Sequence, residues 1–182
     1  VAVFDEEGIL LEMHNTEGKA LWHRFSKDED YRLIHSTRPH DCHPNFVFKY
    51  QGEAWVTRCK QQDAVCLTDV EKKMELTDPL NRISVHDGIS FEDLIYFTSV
   101  DGMIIVMDPN TGEIIEQFNL VKTLNKGELG WARGLSISAE GIAYVGFSKI
   151  RRTKMIEKLA WLALGKRDKM KFIPAGVVAF DL

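Results

Sequence analysis

The chain is predicted to be all-β, built from four-stranded antiparallel sheets, on three observations. Short apolar runs alternate with turn residues along most of its length. The same order of runs restarts at His43, His86 and Ala132, 43 and 46 residues apart. Four of the runs close on an aspartate, at Asp5, Asp69, Asp108 and Asp181. Self-similarity at this period marks an array of supersecondary units, each too small to bury its own apolar face.

The elements follow in order. Val3-Phe4-Asp5 and the stretch through Ile9-Leu10 read as two strands that open the chain in the middle of a unit. From His43, the runs 43–48, 53–57, 64–69 and 71–76 read as four strands. From His86, the runs 86–91, 94–98, 103–108 and 113–118 repeat them. From Ala132, strands at 132–137 and 142–145 are followed, after a long interruption, by a third at 176–181. Asp101-Gly102, Ala139-Glu140-Gly141 and Pro109-Asn110-Thr111-Gly112 supply the turns. Trp55, Tyr96 and Tyr144 fall on one repeat position and are expected in the sheet core. The strand-end aspartates are expected to accept hydrogen bonds in the turns that follow them, because one carboxylate per unit cannot assemble a calcium site.

Successive four-stranded units of this size have the form of β-propeller blades. Asp108-Pro109-Asn110-Thr111-Gly112-Glu113-Ile114 resembles the strand–turn–strand of YVTN-type and quinoprotein-type propellers, and Val3-Phe4-Asp5-Glu6-Glu7-Gly8-Ile9-Leu10 resembles the matching segment of NHL-type propellers. The resemblance, WD40-like or YVTN-like in its repeats, implies a partial β-propeller with residues 1–182 as a single propeller-type domain. Such a count of strands does not close a ring, so further blades are expected from a longer chain or from a second one. The first residue, Val1 in place of Met, agrees with a piece of a longer chain.

Composition sets the bounds. With 182 residues and 45% hydrophobic content the chain can bury a core. No run of 18 apolar residues is present, so no membrane span is expected, and no signal peptide is visible. A net charge of −4 argues against a general nucleic-acid binder. Three cysteines without zinc-type spacing predict free thiols in a reducing compartment, and so a cytoplasmic location. One exception is left open: Cys59 and Cys66 flank a hairpin turn that could bring them near each other.

The propeller resemblance also implies where a site lies: the first strand of each blade lines the channel, and the loops leading into these strands open at its mouth. His43, His86 and Arg133 stand at those strand starts, with Asn45 and Asp87 beside them. Arginine offers a planar donor fork for carboxylate, sulfate or phosphate, and histidine can donate, accept or shuttle a proton. His43, His86 and Arg133 are the candidate catalytic residues, and Asn45 and Asp87 the candidate ligand-binding ones. In residue type the set resembles the axial site of arylsulfotransferase propellers. The expected function is binding of a small anionic or polar ligand at the channel mouth, and whether turnover follows is left open.

Two insertions, 14–42 and 150–174, are expected on that same face. The first gathers His35, His40, Cys42 and His43 within nine residues. Imidazoles and a thiolate suit a transition metal, but the spacing matches no zinc signature. His43 and His86 are better placed to hold a metal on the axis, but Arg133 stands in the third position and would repel a cation, so no metal is assigned and the cofactor is left open. The second predicts a short amphipathic helix over 153–164 with basic flanks, ended by Pro174. Two alternative functions are carried forward. One is a non-catalytic scaffold whose decorated face binds a protein partner or the missing blades. The other is a metal-dependent hydrolase resembling the gluconolactonase propellers.

Overall fold

A computed structural model describes residues 1–34, 41–77, 83–124, 130–148 and 175–182. The strands run in chain order: β1 (Ala2–Phe4), β2 (Leu10–Met13), β3 (Pro44–Tyr50), β4 (Glu53–Arg58), β5 (Asp63–Cys66), β6 (Lys73–Glu75), β7 (Val85–Phe91), β8 (Leu94–Ser99), β9 (Met103–Asp108), β10 (Glu113–Asn119), β11 (Trp131–Ile137), β12 (Ile142–Ser148) and β13 (Gly176–Asp181). They form antiparallel meanders: a hairpin β1-β2, then β3-β4-β5-β6, β7-β8-β9-β10 and β11-β12-β13. β7 contacts β3 on one side and β11 on the other, so the first strands of successive sheets lie together. This is a partial β-propeller of four-stranded blades, as the repeat predicted.

Period-2 alternation builds the stack. Ile95, Phe97, Ile105 and Met107 of the second full blade face Phe48, Trp55, Cys66 and Met74 of the first. The intervening residues Tyr96, Ile104 and Val106 face Ala132, Leu135, Val145 and Phe147 of the third sheet. A blade buried on both faces needs apolar residues at every position, which is why β8 and β9 read as continuous apolar runs. Val1 packs against Val56, Val65 and Leu67 on the far face of the first full blade. At the outer faces burial falls away. Tyr144 is 45% exposed, unlike Trp55 and Tyr96, because among the described residues no sheet covers its side of β12.

Three strand-end aspartates act as expected. Asp5 accepts from the Ile9 amide at 2.7 Å, Asp69 from Glu71 at 3.2 Å and Asp108 from Asn110 at 2.8 Å. The described helix α1 (Leu120–Leu124) was not foreseen; Asn119 caps it by accepting from the Lys122 amide at 3.0 Å, and Leu120 fills the second core. The helix predicted over 153–164 lies outside the described residues.

Each first strand carries a β-bulge near its start. The register shifts between Pro44 and Val47, between Val85 and Gly88, and between Ala132 and Leu135. Two residues thus oppose one: Asn45-Phe46 opposite Thr57, His86-Asp87 opposite Thr98, and Arg133-Gly134 opposite Gly146. The Thr57 hydroxyl accepts from the Phe46 amide at 3.1 Å and the Thr98 hydroxyl from the Asp87 amide at 3.2 Å. The third bulge uses a different device. Gly134 adopts φ +150°, and Gly146 opposite it leaves room for the close approach.

Gly88 follows the second bulge, where the first two full blades meet. A methyl group there would lie 2.9 Å from the Phe48 ring and 3.0 Å from the Phe97 ring, both buried. Gly88→Ala is expected to lower stability by about 1–3 kcal/mol, the range for overpacking. Urea unfolding checks it: the midpoint falls while the slope holds, whereas an unchanged midpoint contradicts the close packing.

Candidate functional site

The bulges decide which side chains line up. Asn45, His86 and Arg133 are the first bulge residues of their strands, in register from blade to blade. His43 is not in that register. It sits one residue before β3, exposed, with its carbonyl accepting from the Cys59 amide at 3.1 Å. The position aligned with His86 and Arg133 in the first full blade is Asn45.

Around His86 the hydrogen bonds form a chain. Asp87 is 3% exposed, and its Oδ2 accepts from the Thr98 hydroxyl at 3.1 Å. The same oxygen lies 3.0 Å from His86 Nδ1. A carboxylate only accepts, so Nδ1 carries a proton, and a guanidinium only donates, so the Arg133 contact takes Nε2 as an acceptor. Arg133 Nη1 stands 3.2 Å from that Nε2 and donates to it. The Arg133 guanidinium also lies over the Trp131 ring, 5.2 Å from its centroid, a cation–π contact that holds the fork in place. Among the described residues Arg133 forms no salt bridge with a carboxylate.

Two further bonds tie this chain to the neighbouring blade. Asn45 Nδ2 donates to the Val85 carbonyl at 2.9 Å, and the Thr57 hydroxyl donates to the His86 carbonyl at 2.5 Å. Asn45 therefore supports the start of β7, and Asp87 orients the His86 ring. The side chains that the structure brings together are His86, Asp87 and Arg133. Thr57, Thr98 and Trp131 were not anticipated. Their signal was available only as register, since each is opposite or beside a bulge that one-letter patterning does not reveal.

The first insertion folds over the start of β3. A cleft of about 310 Å³ lies between β1-β2 and this segment, with His14, Lys19, His23, Arg24 and Cys42 among its lining residues. Most of its polar groups are already engaged. Arg24 pairs with Asp41 at 2.8 Å and holds that carboxyl below the usual range. His14 meets Glu12 at 3.0 Å, and Asn15 donates to the Ala20 carbonyl at 3.2 Å. The Thr16 hydroxyl donates to Cys42 Sγ at 3.3 Å, while burial pushes the thiol pKa up, which disfavours the thiolate a nucleophile needs. All three cysteines are free thiols. Cys66 pairs in register with Trp55, four residues from Cys59 and so about 13 Å along the strand. That spacing closes the exception left open for Cys59 and Cys66. Among the described residues no three His, Cys, Asp or Glu side chains are grouped to hold a metal ion. His35 and His40, like the insertion from 150 to 174, lie outside the described residues.

No protein-family model matches the chain, and among curated proteins none matches. Among solved structures it is similar to virginiamycin B lyase from Staphylococcus aureus, with 15% identity and a TM-score of 0.46 over 79% of this chain and 43% of that one. A catalytically inactive form of the lyase with quinupristin gives 15% identity and 0.47 over 80% and 43%. Glutaminyl cyclase from Myxococcus xanthus gives 7% identity and 0.43 over 58% and 44%. The chain spans under half the length of each of these structures.

The insertion is pinned by one buried ion pair. Arg58 and Asp63 have side chains only 7% and 8% exposed. Arg58 Nε donates to Asp63 Oδ1 at 2.7 Å, Nη2 bonds Oδ2, and Nη1 reaches the Thr16 carbonyl at 2.5 Å. Arg58→Ala strands the Asp63 charge and is expected to cost about 3–5 kcal/mol, while Arg58→Met combined with Asp63→Leu recovers most of it. A denaturation double-mutant cycle reads both values; additive single losses would contradict the pairing.

Proposed function

We propose that this protein binds a small oxyanion-bearing ligand at the channel mouth, with Arg133 and His86 making the contacts. Asp87 orients His86, Asn45 supports the strand start, and His43 stands at the neighbouring blade entrance. The observation that carries the reading is the partner of Arg133. A guanidinium held over Trp131 donates to a neutral imidazole and meets no carboxylate among the described residues. Its remaining donors keep the planar fork that carboxylate, sulfate and phosphate fit. His86, backed by buried Asp87, has the proton-accepting nitrogen that acid–base turnover of such a ligand would use.

A second reading rests on a different observation. The first insertion exposes Leu21, Trp22, Phe25 and Leu33, and exposed aromatics of this kind are favoured at protein interfaces. That reading makes the chain a scaffold with no small ligand. Among the described residues no helix is long and apolar enough to cross a membrane.

Calorimetric titration with sulfate separates the two. Anion binding predicts saturable uptake that Arg133→Ala weakens by about 10- to 100-fold, the loss of one charge-assisted hydrogen bond. The exposed position of Arg133 predicts an unmoved melting temperature. A scaffold predicts background heat from the parent protein and the variant alike, and that result would overturn the proposal.

A further inference from the structure

We propose that the site takes its anion together with one proton, and that His86 carries the proton. The inference rests on the anion-binding reading of Arg133 and adds the linkage between the two events. The His86 ring is committed at both ends. Nδ1 donates to Asp87 Oδ2 at 3.0 Å, and Nε2 accepts from Arg133 Nη1 at 3.2 Å. The ring is therefore neutral, and the anion-binding fork spends one donor on it.

Protonation reverses the second contact. Nε2 then bears a hydrogen and faces another donor, and an imidazolium stands beside a guanidinium. Both effects drive Nη1 and Nε2 apart unless something that accepts from both lies between them. An oxyanion does this with a single oxygen or with two. The first contact strengthens at the same time, because Nδ1–H to the Asp87 carboxylate becomes a charge-assisted hydrogen bond.

The neighbours that face the ring support the same sign. Among the described residues, the charged side chains in contact with the ring are Asp87 on β7 and Arg133 on β11. β8 contributes the Thr98 hydroxyl, which donates to Asp87 and keeps that carboxylate an acceptor. β4 contributes the Thr57 hydroxyl and β3 the Asn45 amide, both directed to backbone carbonyls of β7 and neither titrating. With a neutral ring the charges of Asp87 and Arg133 cancel. With a charged ring these three groups together carry one net positive charge, and that is the state an anion selects. Anion and proton each favour the other's binding to the same extent.

The test is calorimetric titration with sodium sulfate, which stays a dianion across the range in which imidazoles titrate, about pH 5 to 8. Each pH is run in two buffers of different ionisation enthalpy, so that protons taken up on binding are counted in the parent protein without any mutation. The expected result is tighter binding at the acid end, by up to about tenfold per pH unit, with about one proton taken up per sulfate where the ring starts neutral. His86→Gln keeps an acceptor for Arg133 but cannot take the proton; it is expected to bind weakly at both ends of the range with no proton uptake. Sulfate binding that depends on Arg133 but is flat with pH and proton-free overturns the linkage and leaves the anion site standing. Proton uptake that persists in His86→Gln overturns the assignment to His86. Absence of sulfate binding at every pH overturns the linkage and the anion reading together.

Discussion

A β-bulge inside a buried sheet leaves a backbone N–H with no carbonyl opposite, and an orphaned buried donor is rarely tolerated. In the first two full blades a threonine hydroxyl takes that N–H: Thr57 for Phe46 and Thr98 for Asp87. The placement of His86 and Asp87 follows from this exchange. The bulge re-aims the residues it contains, so that His86 and Asp87 sit side by side at the start of β7. Each hydroxyl then spends its own hydrogen on the same neighbourhood, Thr98 on the Asp87 carboxylate and Thr57 on the His86 carbonyl across the blade boundary. The third blade reaches an equivalent bulge with Gly134 and Gly146, and Arg133 lands beside His86 from a strand 47 residues later in the sequence.

Rigidity around these side chains has two sources of different character. The blade interfaces are apolar and closely packed, with Phe48 and Phe97 in edge-to-face contact beneath the bulge at 5.8 Å between centroids. The described residues of the insertion over the first full blade have little apolar burial and depend on polar fastening. Thr16 is its one buried residue between 14 and 34, held by its carbonyl to Arg58 and by its hydroxyl to Cys42. Packing therefore sets the positions of His86 and Arg133, and electrostatics sets the position of the segment beside them.

Strand positions were legible in the sequence because alternation and turn residues are local. β9 and β13 match their predicted spans, and the aspartate turns at Asp5, Asp69 and Asp108 behave as residue chemistry demands. The pairing of His86 with Asp87 and the nearness of Arg133 were legible because they follow from repeat position. The alignment of His43 was not. A bulge adds a residue to one strand without changing its apolar pattern, so counting from histidine to histidine placed His43 where Asn45 stands. Tyr144 shares a repeat position with Trp55 and Tyr96, yet its burial depends on a neighbouring sheet rather than on its own strand. The tautomer of His86 likewise needed coordinates, since it is chosen by which oxygen faces Nδ1.

The central claim is that residues of two different blades share one imidazole. Long-range nitrogen NMR of the histidine rings at mildly alkaline pH reads this most directly. The account predicts that His86 is the Nδ1–H tautomer, with an Nε2 resonance that moves when Arg133 is replaced by alanine and an Nδ1 resonance that moves when Asp87 is replaced by asparagine. An Nε2–H ring, or an Nε2 signal indifferent to Arg133, would contradict it.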